Sequence, residues 1–238
     1  MKIKNKSSIL MFFLFCIVNL IVYGQELNSN ILKMYGLTPI NEKDVHWNVV
    51  QSEIERITKI DPNSLTGNRI NYYGLINTKD ANSLFPNWKF YLFTYSMYKI
   101  NVADRASLAF GLKSTLAVSD SNPIKTFVIY NSIDYEKFLK LNKISIHDVN
   151  DAKLVWNSWC EIHRKGTKDL KVEKISDNEW RLGINSNEQT ISSDNEFRTV
   201  AKITSFFKIT TDPNTYQITK CKDEVQISDK RQESTKED

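Results

Sequence analysis

Apolar and polar positions divide this chain into one long apolar block, three helical stretches and a series of strands. The block is Ile9 to Val22, 14 residues interrupted only by Asn19. A membrane-spanning helix needs about 20. Further on, Trp47, Val50, Ile54 and Ile57 recur at helical spacing. They predict a helix introduced by Asn41 and Asp44 and closed by Asp61-Pro62, because the residue before proline avoids helical geometry. Residues 63–87, rich in Asn, Ser and Thr, read as loop with one short strand at Ile70–Ile76. Trp88 to Ile100 is apolar at both parities. That suits a strand covered on both faces, and a buried helix opened by Pro86 has the same signature.

Leu108, Phe110, Leu112, Leu116 and Val118 alternate with small or polar residues, the pattern of a half-buried strand. Ile124–Tyr130 reads as another, followed by a short helix at about 133–141 with Tyr135, Phe138 and Leu139 inward. The clearest helix follows. Ser145 as N-cap and Asp148 as the N3 acid form a capping box, with Ile144 and Val149 as its hydrophobic staple. Val149, Ala152, Trp156, Trp159 and His163 make its apolar stripe. His163, Arg164 and Lys165 place cations at its negative end, and Gly166 suits the left-handed position beyond it. Four strand signals come next: Leu170–Ile175, Trp180–Ile184, the stretch holding Phe197, Ala201, Ile203, Phe207 and Ile209 on one face, and Thr215–Cys221. Residues 228–238 are nearly all polar or charged and read as a frayed tail.

The expected fold class is therefore α+β, helices packed on antiparallel sheet, with a C-terminal half built from one helix and a four-stranded meander. That order of elements resembles the cystatin-like and NTF2-like architectures in shape alone. The Gln-x-Val-x-Gly loop of cystatin inhibitors is absent, so their activity is not implied. The expected organisation is a leader at 1–24, an α+β region at 25–142, the helix-plus-sheet region at 143–227 and the tail.

Composition sharpens this picture. With 41% hydrophobic residues and few Gly and Pro, the chain is neither disordered nor collagen-like. Three cysteines are too few for a disulfide-stapled miniprotein. Lys2, Lys4 and Lys6 precede the apolar block, and Val22-Tyr23-Gly24 follows its core. Together they read as a secretory signal cleaved after Gly24. The leader holds three of the 32 basic residues and none of the 28 acidic ones, so the remainder carries +1 instead of +4. No net field is left to attract nucleic acid or anionic lipid. The remainder is rich in Asn yet has no Asn-x-Ser/Thr sequon, which points to a bacterial exported protein.

No phosphate-binding glycine loop, His-Glu-x-x-His or Gly-x-Ser-x-Gly occurs in the sequence. Ser96-x-x-Lys99 and Ser205-x-x-Lys208 match Ser-x-x-Lys, but both fall in expected strands, where i and i+3 point to opposite faces. Cys160 and His163 share a helix face, so a thiol lies within reach of a base. The competing expectation is a packed cysteine and a cation at the helix end. A Cys160–Cys221 disulfide suits an exported chain, although Cys221 has the opposite strand parity to Tyr216 and Ile218. His147 and Asp151 are spaced as two metal ligands, and equally as a solvated helix start. Trp180 beside Arg181 suggests ligand stacking, while its alternation with Leu182 and Ile184 suggests a core residue.

The reading these features support is an exported, non-catalytic binding protein of the bacterial cell envelope. Its partner is a protein or small ligand, with no nucleic acid, no cofactor and no membrane contact once the leader is removed. Tyr91, Phe93 and Tyr95 are the expected binding surface. The alternative is a small hydrolase using Cys160 with His163.

Overall fold

The computed structural model describes residues 32–33, 36–40, 42–58, 66–100, 107–163, 170–193 and 196–234. For 58, 66–72, 95–100, 107–112 and 193 the description covers the backbone only. The leader expected at 1–24 lies outside the described residues. The described chain is α+β, with two antiparallel sheets, one of strand order β1-β2-β3-β4-β5 and one of order β6-β7-β8-β9. The C-terminal meander takes the expected four-stranded form.

The chain forms two compact units, residues 1–77 with 91–113 and residues 78–90 with 114–238. The junction expected near 142 falls inside the second unit. The first unit holds β1 (Leu37–Thr38), α1 (Trp47–Thr58), β2 (Thr66–Ile76), most of β3 (Trp88–Ile100) and the first part of β4 (Ser107–Ser119). The Asp44 carboxylate accepts from the His46 amide ahead of α1, and Val50 and Ile54 are buried on the predicted stripe. The stretch expected to be mostly loop is instead the 11-residue β2, paired along β3 from Thr66↔Lys99 to Leu75↔Tyr91. Its polar side chains hid it, because a strand takes its order from ladder hydrogen bonds as well as from an apolar face.

The second unit contains α2 (Asp80–Leu84), the start of β3, the end of β4, β5 (Thr126–Ile129), α3 (Ser132–Leu141), α4 (Val149–His163), and β6 to β9 at Lys171–Ser176, Glu179–Ser193, Phe197–Thr211 and Ile218–Ser234. Ser114 to Ser119 is buried at both parities, so this end of β4 is enclosed on both faces instead of half-buried. Small side chains fill the second face, and Thr115 satisfies its hydroxyl by donating to the Ile162 carbonyl at 2.8 Å. The Asn131 side chain caps α3, accepting from the amides of Ile133 and Asp134. Phe138 on α3 centres an aromatic cluster, 4.8 Å from Phe85, 4.9 Å from Trp88 and 5.3 Å from Phe127 between ring centroids.

Helix α4 begins three residues later than its sequence suggests. Asp148, not Ser145, is the cap, accepting from the amides of Asn150 and Asp151, and Asp151 reaches back to the His147 amide. Ser145 instead pairs as an isolated bridge with Gln217, fixed by Ile146 N–H to the Tyr216 carbonyl and Ile218 N–H to the Ile144 carbonyl. The shift leaves Val149 exposed, so the expected staple does not form. At the other end Glu161, although buried, accepts from the amides of Asp80 and Ala81 at 2.9 Å each and so caps α2. Trp159 stacks on Phe207 of β8 with centroids 5.3 Å apart, and Trp156 lies on Gly183 of β7.

The segment expected to fray from residue 228 is, as far as Ser234, the last part of β9. It pairs with β8 through Phe197↔Ser234, and β7 continues past Ile184 to Ser193 on the other side. The three strands therefore make an arm that β6, ending its pairing at Lys171↔Ile184, does not reach.

Candidate functional site

The expected catalytic pair does not form an open site. Cys160 is 1% exposed, within the core, and the His163 ring sits edge-on against Trp159 at 3.7 Å. A nucleophilic thiol must reach its substrate, and an enclosed sulfur does not. The structure gives the hydrolase expectation no open thiol to support it.

Cys160 and Cys221 are not bridged; both are buried thiols. The parity objection to the bridge is removed by a bulge. The β8–β9 register shifts between Thr210↔Lys220 and Thr211↔Ile218, which turns Ile218 and Cys221 onto the same inner face. The Cys221 amide donates to Glu136 of α3 at 2.9 Å. Burial first, then the nearby Glu136 carboxylate, holds the Cys221 thiol well above its usual range. Tyr135 lies between these elements, its hydroxyl donating to the Val155 carbonyl and 2.5 Å from that of Ser158. Burial raises its pKa well above the ordinary tyrosine value.

Two of the three residues of the expected aromatic surface point inward. Tyr91 and Phe93 are fully buried, and the Tyr91 hydroxyl is 3.0 Å from His46 Nδ1. Both parities of this strand segment are covered, as its unbroken apolar pattern requires. The side chains of Tyr95, Ser96 and Lys99 lie outside the described residues. Ser205 and Lys208 take opposite faces of β8: Ser205 stands opposite Asn185 and Val225, whereas Lys208 pairs with Glu179 at 2.9 Å. His147 and Asp151 meet through a backbone amide in the helix cap, and the His147 ring lies against Tyr216 at 4.9 Å. Trp180 is a core residue opposite Ile209, and Arg181 on the other face lies over Phe206 at 4.8 Å.

The surface with chemistry to offer is one that sequence reasoning missed. On the face of the meander that carries Phe207, the next residues along the arm are Ser205 and Val225, then Ile203 and Ile227. Helix α4 covers Phe207 but not these: Val225 is 62% and Ile227 52% exposed. A concavity of about 290 Å³ opens where the helix leaves the sheet, lined by Trp156, Gly183, Phe206, Phe207, Asp223 and Glu224 among others. Gly183 shapes it. Its φ of +65° and a register break from Leu182↔Phe207 to Asn185↔Ser205 mark a bulge, and the Trp156 indole occupies the space a side chain would need. The sequence signal for this face was Val225-x-Ile227, an alternation lost between charged residues.

Neither a known protein family, nor a curated protein sequence, nor a solved structure matches this chain. No helix among the described residues is long and apolar enough to cross a membrane.

Proposed function

We propose that this chain is an exported binding protein of the bacterial cell envelope, acting by recognition of a protein partner and not by catalysis. The observation that carries this reading is the exposed Val225 and Ile227 of the arm, with half-buried Ile203 on the same face, beside a concavity with aromatic walls and the Asp223 carboxylate. Single exposed apolar residues are ordinary, but a contiguous set on a regular sheet face is the pattern of an interface. Asp223 on the rim favours a partner with an apolar anchor next to a lysine or arginine. Export rests on the lysines and the short apolar block at the amino end, with Gln25 as the first residue of the processed chain.

The test is quantitative affinity capture from the envelope of the producing cells, comparing the native chain with Val225→Glu/Ile227→Glu. The expected result is one stoichiometric partner, held by the native chain and lost by the variant. Both positions are exposed, so the variant keeps its circular dichroism spectrum and melting temperature. Equal retention by both proteins rejects the arm as the binding face. Amino-terminal sequencing of the native material tests export, and an intact Met1 on mature protein contradicts it.

A further inference from the structure

The two faces of the meander use their polar side chains differently. On the outer face they pair with one another: Ser186 with Thr204 at 2.9 Å, Glu179 with Lys208 at 2.9 Å, and Lys222 with Glu224 at 2.6 Å. The face that carries Phe207 holds Asn185 on β7, Ser205 on β8 and Asp223 on β9, and all three line the concavity beside α4. Among the described residues, none of these three side chains makes a hydrogen bond or ion pair within the chain. The adjacent cation on β9, Lys222, is turned to the outer face, where Glu224 holds it.

Their register sets an arc. Asn185 stands directly opposite Ser205, and Asp223, opposite Phe207, is the next residue along β9 on the same face as Val225. Directly opposite residues lie about 5 Å apart and diagonal ones about 7–8 Å. A flat group entering here meets a carboxylate, a hydroxyl and an amide at its edges, with Trp156 and Phe207 as the apolar wall.

We infer that this concavity is a socket for one arginine side chain of the protein partner, its guanidinium on Asp223, Ser205 and Asn185 and its methylene stem against Trp156 and Phe207. The inference rests on the reading of the arm as a protein-binding face and narrows it to one residue type. The occupant needs a positive charge to answer Asp223. It also needs several donors, because ionised Asp223 only accepts and Ser205 and Asn185 each offer an accepting oxygen. A guanidinium carries five donors in one rigid plane and is weakly hydrated, whereas an ammonium is a compact and strongly hydrated point charge. Size agrees: about 290 Å³ lies at the floor of the range for small-molecule pockets and suits one long side chain. Val225, opposite Ser205, borders the socket and continues to exposed Ile227, so the arginine sits next to the partner's apolar anchor.

The test is amide NMR of the native protein titrated with three blocked dipeptides: acetyl-Arg-Leu-amide, acetyl-Lys-Leu-amide and the neutral citrulline analogue of the first. The arginine peptide is expected to give saturable shifts of the Asn185, Ser205 and Asp223 amides and of the Trp156 indole N–H. The lysine peptide binds more weakly and the citrulline peptide about tenfold more weakly, the size of one charged hydrogen bond. Asp223 is exposed, so the isosteric Asp223→Asn keeps the melting temperature and erases the difference between the arginine and citrulline peptides. No saturable shift at those positions, equal binding of the three peptides, or an arginine preference that survives in Asp223→Asn overturns the inference. Affinity capture from the envelope separates its failure from that of the binding-face reading. A partner held in full by Asp223→Asn but lost by Val225→Glu/Ile227→Glu overturns the socket and leaves the arm as the binding face. A partner weakened by both variants supports both.

Discussion

Gly183 is the residue on which the second unit turns. Its positive φ, its place in the β7 bulge and the Trp156 indole against its α-carbon all exclude a side chain. Gly183→Ala combines left-handed strain with overpacking, so it is expected to destabilise the protein by about 2–4 kcal/mol in urea unfolding. A loss below about 0.5 kcal/mol, the range of an ordinary surface change, contradicts the packing described. The sequence alone did not mark this glycine, because a bulge is visible only once both neighbouring strands are in register. Cys221 shows the same limit. Its parity argument failed through one slipped residue at Thr219, since side-chain direction in a strand inverts with each residue of slip. What was legible at this scale was burial: Trp159, Phe138, Leu139 and Phe207 sit inward as their spacing predicts.

At the scale of elements, α4 and the Asp212 turn give the sharpest tests. The helix was legible from its stripe, but its cap was not: Ser145 read as the N-cap with Asp148 as its N3 acid, whereas the bridge to Gln217 holds Ser145 outside the helix and Asp148 caps it. Asp148→Ala is expected to cost about 1 kcal/mol in thermal or chemical unfolding, while Ser145→Ala stays within about 0.5 kcal/mol. The reverse order restores the earlier helix start. Between β8 and β9, Asp212 accepts from the amides of Asn214 and Thr215 and from the Thr215 hydroxyl. Those bonds, the Thr215 amide foremost, favour the ionised form and lower its pKa from 3.8. A folded pKa below the unfolded one means that the turn's contribution is present above the unfolded value and is lost as pH falls through the folded one. A carboxyl titration followed by NMR is expected to place Asp212 below 3.8, with the Thr215 amide shift following the same midpoint. A midpoint at or above 3.8 contradicts the turn geometry.

For the whole molecule, sequence carried the α+β class and the meander, because those depend on which faces are apolar. It did not carry the length of the arm or the grouping of segments. Beyond Ile184 the only apolar residue of β7 is Ile191, and beyond Ile227 β9 has none, so neither stretch has a period to read, and ladder pairing with β8 defines them. The two units interleave along the chain because 78–90 and 114–142 pack with the C-terminal sheet region, a long-range choice that no local pattern encodes. The proposed binding face was missed for the same reason, and Tyr91 and Phe93, which looked like a surface, are core. The most direct measurement of the central claim is photo-crosslinking in living cells, with a benzophenone amino acid at position 225 and, as a control, at exposed Lys137 of α3. The account predicts a discrete adduct with a second envelope protein from position 225, on a chain that begins at Gln25, and none from position 137. No adduct at 225, or one with a cytosolic protein on an unprocessed chain, contradicts it.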